Sequence, residues 1–284
     1  MHYIQSVLRD AADILAAVSD SALLDAEVLL CLALNKQRSY LRAWPDRQVE
    51  TEHLAAFGAL LEQRRKGTPI AYITGNREFW SRDFLVTPDV LIPRPDTELL
   101  IELSLKLIPP DEPAKIIDLA TGSGIIAITL AAERPHAQII ATDFSLAALH
   151  IAQLNADKHH INHIRFYQSD WFSEVPASKF NLIISNPPYI AKDDIHLQQG
   201  DVRFEPQTAL CAADQGLRDI KIIADAARNY LEPRGHLLIE HGYDQQQQVQ
   251  ILFKNLRYDD VQTYTDLSGQ PRVTYGQFMS GSTT

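Results

Sequence analysis

Cysteine is nearly missing from this chain. Cys31 and Cys211 are the only two, far apart and in apolar surroundings. Without metal-ligand spacing they exclude a disulfide framework or a zinc ribbon, and both are expected to be reduced core residues. Long apolar runs are missing as well: no stretch approaches the roughly 20 residues that span a bilayer. The opening MHYIQSVLRDAADIL is acidic and amphipathic rather than basic and then apolar, so no signal segment and a cytoplasmic location are expected. Positive charge is in deficit, with Lys+Arg 26 against Asp+Glu 36 and a formal net charge of −10. A protein that neutralises many phosphates carries a basic stripe. The one dense basic run here is Arg64, Arg65 and Lys66 at the end of a predicted helix, where it complements the helix dipole. A direct nucleic-acid partner is therefore not expected. Ten histidines show no metal spacing; His159-His160 reads as a solvated helix end, and no metal is expected.

What is there falls into two differently patterned parts. Over residues 1–75 apolar positions recur at helical spacing: Ile4, Val7, Leu8, Ala11, Leu15 and Val18 share a face, and ALLDAEVLLCLAL and HLAAFGALLEQ behave alike. A small helical bundle is expected. Around EFWSRDFLVTPDVLIP the period shifts towards two, which predicts a β-hairpin linker over 76–92. Asp96 is the expected N-cap of the helix TELLIELSLKL, which Pro109-Pro110 ends. From Lys115 onward strands (KIIDLA, QIIATD, IRFYQSD, FNLIISN, GHLLIEHG) alternate with helices. That alternation predicts an α/β fold for 93–284, a mostly parallel sheet covered on both faces. The closing VQTYTDL and RVTYGQF have no helix between them, so an antiparallel edge pair is expected. The glutamines at 245–248 read as an exposed helical face.

Ligands of an open parallel sheet sit beyond the carboxyl ends of its strands. Four of those ends carry polar or special residues: IIDLATGSG, IIATD, QSDW and IISNPPY. In the last, neither Pro187 nor Pro188 can donate to a ladder, so the strand must stop at Asn186. A rigid ledge follows: an asparagine amide, carbonyls without neighbouring proline N–H groups, and the Tyr189 ring. In the first, Gly122 and Gly124 allow backbone N–H groups to approach a ligand. Asp143, about 20 residues on, stands where a carboxylate accepts from ribose hydroxyls, which implies an adenosine-containing cofactor. GSGIIA also fits the dinucleotide fingerprint of nicotinamide enzymes. Two features weigh against that rival. Asp118 would repel a pyrophosphate but welcome a cationic amino-acid end, and the SDW and SNPPY strand ends have no task in hydride transfer. S-adenosyl-L-methionine is the better fit.

IPRPDTE (92–98), DLATGSG, ATD, SDWF, SNPPYI and LQQGDVRFEPQTAL (197–210) together resemble the HemK/PrmC-type protein-glutamine N5-methyltransferases, over essentially the whole chain. The resemblance implies a class I (Rossmann-like) methyltransferase sheet behind a helical substrate-docking domain, with peptide chain release factors as the protein partner. It implies that the turn Ala120, Thr121, Gly122, Ser123 and Gly124 holds the cofactor with Asp118 and Asp143. Asp170 and Trp171 would lie near the adenine, and Asn186 would face the methyl. Asn186, Pro187, Pro188 and Tyr189 would bind the target glutamine. An amide nitrogen is a poor nucleophile because its lone pair is delocalised; the Asn186 oxygen and the Pro187 carbonyl would hold its two hydrogens and aim the lone pair, with Tyr189 packing on the planar group. The family carries glycine where this chain has Ala120, and a positive φ there would strain alanine by about 1 kcal/mol. NPPY is shared with adenine-N6 methyltransferases, so a DNA or RNA substrate is one alternative. A cofactor-binding adaptor without catalysis is another. Arg94 with Glu98, and Arg203 with Glu205, are each either site residues or structural pairs.

Overall fold

The computed structural model describes residues 2–279. By its internal contacts the chain divides into two compact units: the chain up to Asn76 together with Ile195–Phe204, and Arg77–Asp194 with Glu205 onward.

The first unit is helical, with helices Ile4–Leu15, Ala22–Leu34, Arg38–Ala43, Thr51–Arg65 and Ile70–Thr74. The apolar face expected for the first helix is the buried one: Ile4, Val7, Ala11 and Leu15 pack with Leu29, Leu30 and Phe57. Val18, read onto that face, lies beyond the helix end and is exposed. The basic run also divides. Arg65 and Lys66 pair with Glu62 at the surface, but Arg64 is buried and bonds Asp25 Oδ2 at 2.7 Å and Asp201 Oδ1 at 2.9 Å. Its charge is met by carboxylates and does more than complement a dipole. Asp201 belongs to the segment Ile195–Phe204, which sequence pattern alone does not assign to the helical unit.

In the second unit the strands, in chain order, are β1 (Asn76–Phe79), β2 (Arg82–Leu85), β3 (Lys115–Leu119), β4 (Gln138–Asp143), β5 (Ile164–Gln168), β6 (Phe180–Ser185), β7 (Ile190–Ala191), β8 (Cys211–Ala212), β9 (Leu231–Glu240), β10 (Tyr258–Thr265) and β11 (Pro271–Phe278). Seven form one sheet in the order β10-β11-β9-β6-β3-β4-β5. β9, β6, β3, β4 and β5 run parallel, and β11 is antiparallel to both β9 and β10. The last strand is thus interior, with Val273, Thr274, Tyr275 and Gly276 all buried, and of the closing pair β10 alone is an edge, β5 being the edge on the far side. Because β4 follows β3 on one side and β6 flanks it on the other, strand order reverses at β3, and a crevice opens beyond the β3 and β6 ends.

The expected hairpin is there as β1–β2, turned by Trp80 and Ser81 at positive φ as a two-residue type I′ turn demands, and its Phe79 and Phe84 are buried in the main core. Several local expectations change. Asp96 does not cap a helix. It lies inside a 3-10 turn, Pro95–Thr97, that precedes the helix Glu98–Leu107, and it pairs with Arg272. His159 contacts the Asp83 carbonyl at 3.0 Å and packs on Phe84. Gln245 is buried, and its Nε2 donates to the Tyr189 carbonyl at 2.9 Å, whereas Gln247 and Gln248 are exposed as expected. Cys31 and Cys211 are free but only half-buried.

Two buried polar residues brace the crevice. Asn155, on the helix Leu146–Lys158, accepts from Leu85 N–H at 2.6 Å and donates to the carbonyls of Leu85 and Ser123, both at 2.9 Å. Asp118, fully buried on β3, accepts from the Thr121 hydroxyl at 2.6 Å and from Ala127 N–H at 3.3 Å, while its Oδ1 has no partner. Burial pushes the Asp118 carboxyl from 3.8 up to about 7, against the pull of those two donors.

Asn155→Ala leaves buried backbone groups unpaired and should cost about 2–4 kcal/mol, a fall of roughly 5–10 °C in Tm for a unit of this size. Calorimetry checks this; a shift under a degree would mean that Leu85 and Ser123 find other partners. Asp118 also makes stability pH-dependent. Its pKa is higher folded than unfolded, so its stabilising contribution is complete below about pH 4 and is lost as pH rises to about 7. Asp118→Asn removes the titration, so Tm of the variant minus Tm of the parent should increase from pH 4 to pH 8. A difference independent of pH would overturn this.

Candidate active site

The ends of β3, β4, β5 and β6 meet around a pocket of about 350 Å³. Its walls include Ala120 to Ser123 from the β3 turn, Asp143 from the end of β4, Ser169 to Trp171 beyond β5, and Asn186 and Pro188 beyond β6. The four strand ends read from the sequence therefore do converge.

The β3 turn is built from left-handed residues that alternate along the chain: Ala120 at φ +58°, Gly122 at +56° and Gly124 at +84°. Alanine at the first of these holds strain of about 1–2 kcal/mol that glycine would avoid. The two glycines differ. A Cβ on Gly122 would meet nothing within 4 Å, so its backbone is open to a ligand. A Cβ on Gly124 would lie 2.9 Å from Ile128 Cδ1 and 3.1 Å from Ala152 Cβ, so this glycine serves helix packing behind the wall. Asp143 locks turn to strand: Oδ2 accepts from Gly122 N–H and Oδ1 from Ser145 N–H, each at 2.9 Å. Phe144 N–H is a third donor to this carboxylate, and with about four acceptor positions in all it keeps one for a ligand. Burial raises the Asp143 pKa, and these N–H donors pull it back. Beyond β5, Ser169 Oγ donates to the Trp171 carbonyl at 2.9 Å and accepts from Glu174 N–H at 3.0 Å, which holds Trp171 at its positive φ of 52°.

Not every expected residue reaches the pocket. Asp118 and Gly124 are not on the pocket wall; Asp118 Oδ2 accepts from Thr121 and Ala127, and its Oδ1 is buried without a hydrogen-bond partner. Pro187 is buried and Tyr189 is directed away from the wall. The Tyr189 hydroxyl donates to Glu240 Oε1 at 3.2 Å, and its ring packs with the second core, so it does not cover a planar group in the pocket. The paired alternatives resolve differently from either pairing. Arg94 pairs with Glu205, whose other oxygen accepts Ile92 N–H at 3.0 Å. Glu98 accepts Trp80 N–H at 3.0 Å, and Arg203 lies over the Phe204 ring at 4.9 Å. Of these, only Arg94 lines the pocket.

Residues without an earlier signal also line it. Phe144 is 71% exposed immediately after Asp143, and Thr97 accepts from Asn186 Nδ2 at 3.2 Å. Phe144 could have been foreseen as the aromatic next to the acid that ends β4. Thr97 lies in a segment that reads as a helix start.

The charged residues on the walls are Asp89, Asp143, Asp170 and Asp219 against Arg94 and Arg218, and the Arg94 charge is met by Glu205. An acidic cradle with an open glycine backbone fits S-adenosyl-L-methionine, whose sulfonium and ammonium are cationic. It fits a pyrophosphate badly.

Comparison with known proteins agrees with this geometry. The PrmC N-terminal domain model matches residues 6–75, and the Methyltransferase small domain model matches residues 96–205. Among solved structures, a methyltransferase from Pyrococcus furiosus aligns with a TM-score of 0.54 at 14% identity, over 78% of this chain and 98% of that one. The 16S rRNA N2 G1207 methyltransferase of T. thermophilus, solved with AdoMet and guanosine, aligns at 0.52 and 16% identity over 72% of this chain and 49% of its own. At that identity these two establish the fold. The release factor glutamine methyltransferase of Shewanella oneidensis is 48% identical over 93% of this chain and 92% of its own length. That of Escherichia coli is 47% identical over 96% and 98%. A chain so similar along its whole length, with the ledge and glycine turn facing one pocket, belongs to the release factor glutamine methyltransferase family.

Proposed function

We propose that this protein transfers a methyl group from S-adenosyl-L-methionine to the side-chain amide nitrogen, N5, of the glutamine in the Gly-Gly-Gln motif of peptide chain release factors. The observation that carries the reading is Asn186, held at the end of β6 on the pocket wall, with its Nδ2 engaged by Thr97 and its Oδ1 left for a ligand. The Ala120 to Ser123 turn and Asp143 hold the cofactor, Asp143 through the ribose hydroxyls, with Asp170, Trp171 and Phe144 around the adenine. When bound, that cofactor supplies an electrophilic methyl on a sulfonium.

The chain's own contribution is to prepare the nitrogen. Asn186 Oδ1 accepts one hydrogen of the glutamine NH₂ at the wall, and the backbone carbonyl of Pro187, whose ring is buried off the wall, accepts the other once the glutamine enters, which fixes its plane and presents the lone pair to the methyl. As the nitrogen becomes positive, the two acceptors stabilise it, and as preorganised dipoles they need no reorganisation at that moment. The cationic product nitrogen is acidic enough to release its proton to water, so no histidine or cysteine base is required. The helical unit serves to dock the release factor. The walls with more carboxylates than guanidiniums, and the net charge of −10, favour a protein target over an adenine in DNA or RNA.

The test is incubation with labelled S-adenosyl-L-methionine, a recombinant release factor and duplex DNA, with tandem mass spectrometry of tryptic peptides. One methyl on the Gly-Gly-Gln glutamine and none on DNA is expected; label in adenine would replace the reading. Asn186→Ala should lower kcat on the order of a hundredfold or more with cofactor Kd unchanged, and equal turnover would remove Asn186 from the mechanism. Asp143→Ala should raise cofactor Kd before it changes kcat. Calorimetric titration decides that, and an unaltered Kd would take Asp143 out of the ribose site.

A further inference from the structure

A carboxamide has nearly the same shape either way round, so packing alone does not decide whether Asn186 shows the pocket its oxygen or its NH₂. Only the oxygen serves an incoming NH₂; the flipped group would set donor against donor. The Thr97 hydroxyl, 3.2 Å from Asn186 Nδ2, does not settle the matter alone, because a hydroxyl both donates and accepts. What lies beyond it does. Thr97 also faces the carboxyl of Glu240, which is 1% exposed at the end of β9 and accepts the Tyr189 hydroxyl on Oε1. An ionised carboxylate can only accept. Glu240 Oε2 is buried and makes no hydrogen bond of ordinary geometry, so it is the acceptor open to the single Thr97 proton; donating there leaves Thr97 to accept from Asn186, which turns Asn186 Oδ1 towards the pocket.

We propose that Thr97 and Glu240 are positioning residues for methyl transfer, a one-way hydrogen-bond chain from Asn186 through Thr97 to Glu240 that fixes the Asn186 carboxamide with its oxygen towards the substrate. The inference rests on the function proposed above and adds to it. The same carboxylate holds the Tyr189 end of the ledge, so a single buried acid sets both ends of Asn-Pro-Pro-Tyr. Register explains how it can. Ser185 pairs with Ile239 in parallel β6 and β9, so Asn186 and Glu240 are the next step of that ladder and lie on the same face.

The chain has its direction only while Glu240 is ionised. The charged and titratable groups around it are Asp96, which disfavours the anion, and Arg272 and the Tyr189 hydroxyl that donates to Oε1, which favour it, with His241 next in sequence. Burial is the largest influence and pushes its pKa from 4.5 up to about 7. Above that pH Thr97 donates to the carboxylate; below it the carboxylic acid can donate to Thr97, and Asn186 is free to turn.

Thr97→Val keeps the shape of the side chain and removes the hydroxyl. It should lower kcat about ten- to a hundredfold with release-factor KM and cofactor Kd close to those of the parent, and Thr97→Ser should restore kcat. In the parent, kcat should fall as pH drops through about 7, and that step should be absent in Thr97→Val and in Glu240→Gln. Parent-like kcat in Thr97→Val overturns the proposal. A parent inactive on every release factor would instead remove the function it rests on. The chain remains testable in that case by NMR of asparagine-labelled protein, with the Asn186 carboxamide signals identified by their loss in Asn186→Ala. They should titrate near pH 7 in the parent and stay fixed in Glu240→Gln; a flat profile in the parent overturns the proposal whatever the substrate is.

Discussion

Strand β6 has to stop where it does, and the site depends on that stop. Pro187 and Pro188 bring no N–H to the ladder, while β3 and β9 continue hydrogen bonding on either side through Ser185. The break therefore falls in the interior of the sheet, where an edge strand would have let it fall in solvent. Asn186 becomes the first residue free of the ladder with ordered walls on both sides. Its side chain is consequently positioned by the sheet itself, the most rigid element available. The β3 turn lies opposite because strand order reverses at β3, so the cofactor side and the substrate side of the pocket are neighbouring strands of one sheet.

Such a site is costly to hold. Asp118 on β3 and Glu240 on β9 flank β6, and each is a buried carboxyl with one oxygen lacking a hydrogen-bond partner. Burial brings both pKa values to about 7. Ala120 adds left-handed strain on the same turn. These unfavourable terms collect at the strand ends and not in the apolar layers beneath, where Ile116, Ile117, Ile183 and Ile184 are fully buried. That distribution is expected where function opposes stability: preorganised polar groups are kept because the surrounding core over-determines them.

Much of this was legible in the sequence because the signals are local. Strand and helix alternate with different periods, DLATGSG is a turn by its glycines alone, and two prolines end a strand wherever they occur. What was illegible is nonlocal. Asp118 reads as a ligand-facing acid at a strand end, but in three dimensions it turns inward, and only the positions of Thr121 and Ala127 reveal that. Asp201 and Arg64 meet across most of the first unit's sequence span, so neither the segment Ile195–Phe204 nor a buried arginine could be inferred from a basic run. Gln245 looks like its three glutamine neighbours, yet faces inward because its helix begins there and its amide reaches the Tyr189 carbonyl.

Glu240 is the instructive case, since a signal for it was present. Four strand ends point to a site by carrying polar residues, and GHLLIEHG is a fifth: an acid that closes an apolar strand without any local partner. A carboxyl in that position must either reach solvent or be met by donors from elsewhere in the chain. Here the donor that meets it is the Tyr189 hydroxyl of the ledge, and Thr97 of the Pro95–Thr97 turn, itself bonded to Asn186, faces the same carboxyl, which is why IPRPDTE, NPPY and the end of β9, remote in sequence, behave as one unit. Asp96 and Arg272 join the same cluster through their ion pair, so RVTYG supplies a counter-charge to the acid as well as a buried strand. The motifs that mark this family are thus the visible parts of a single electrostatic assembly, and the carboxylate that joins them is the part that shows least in the sequence.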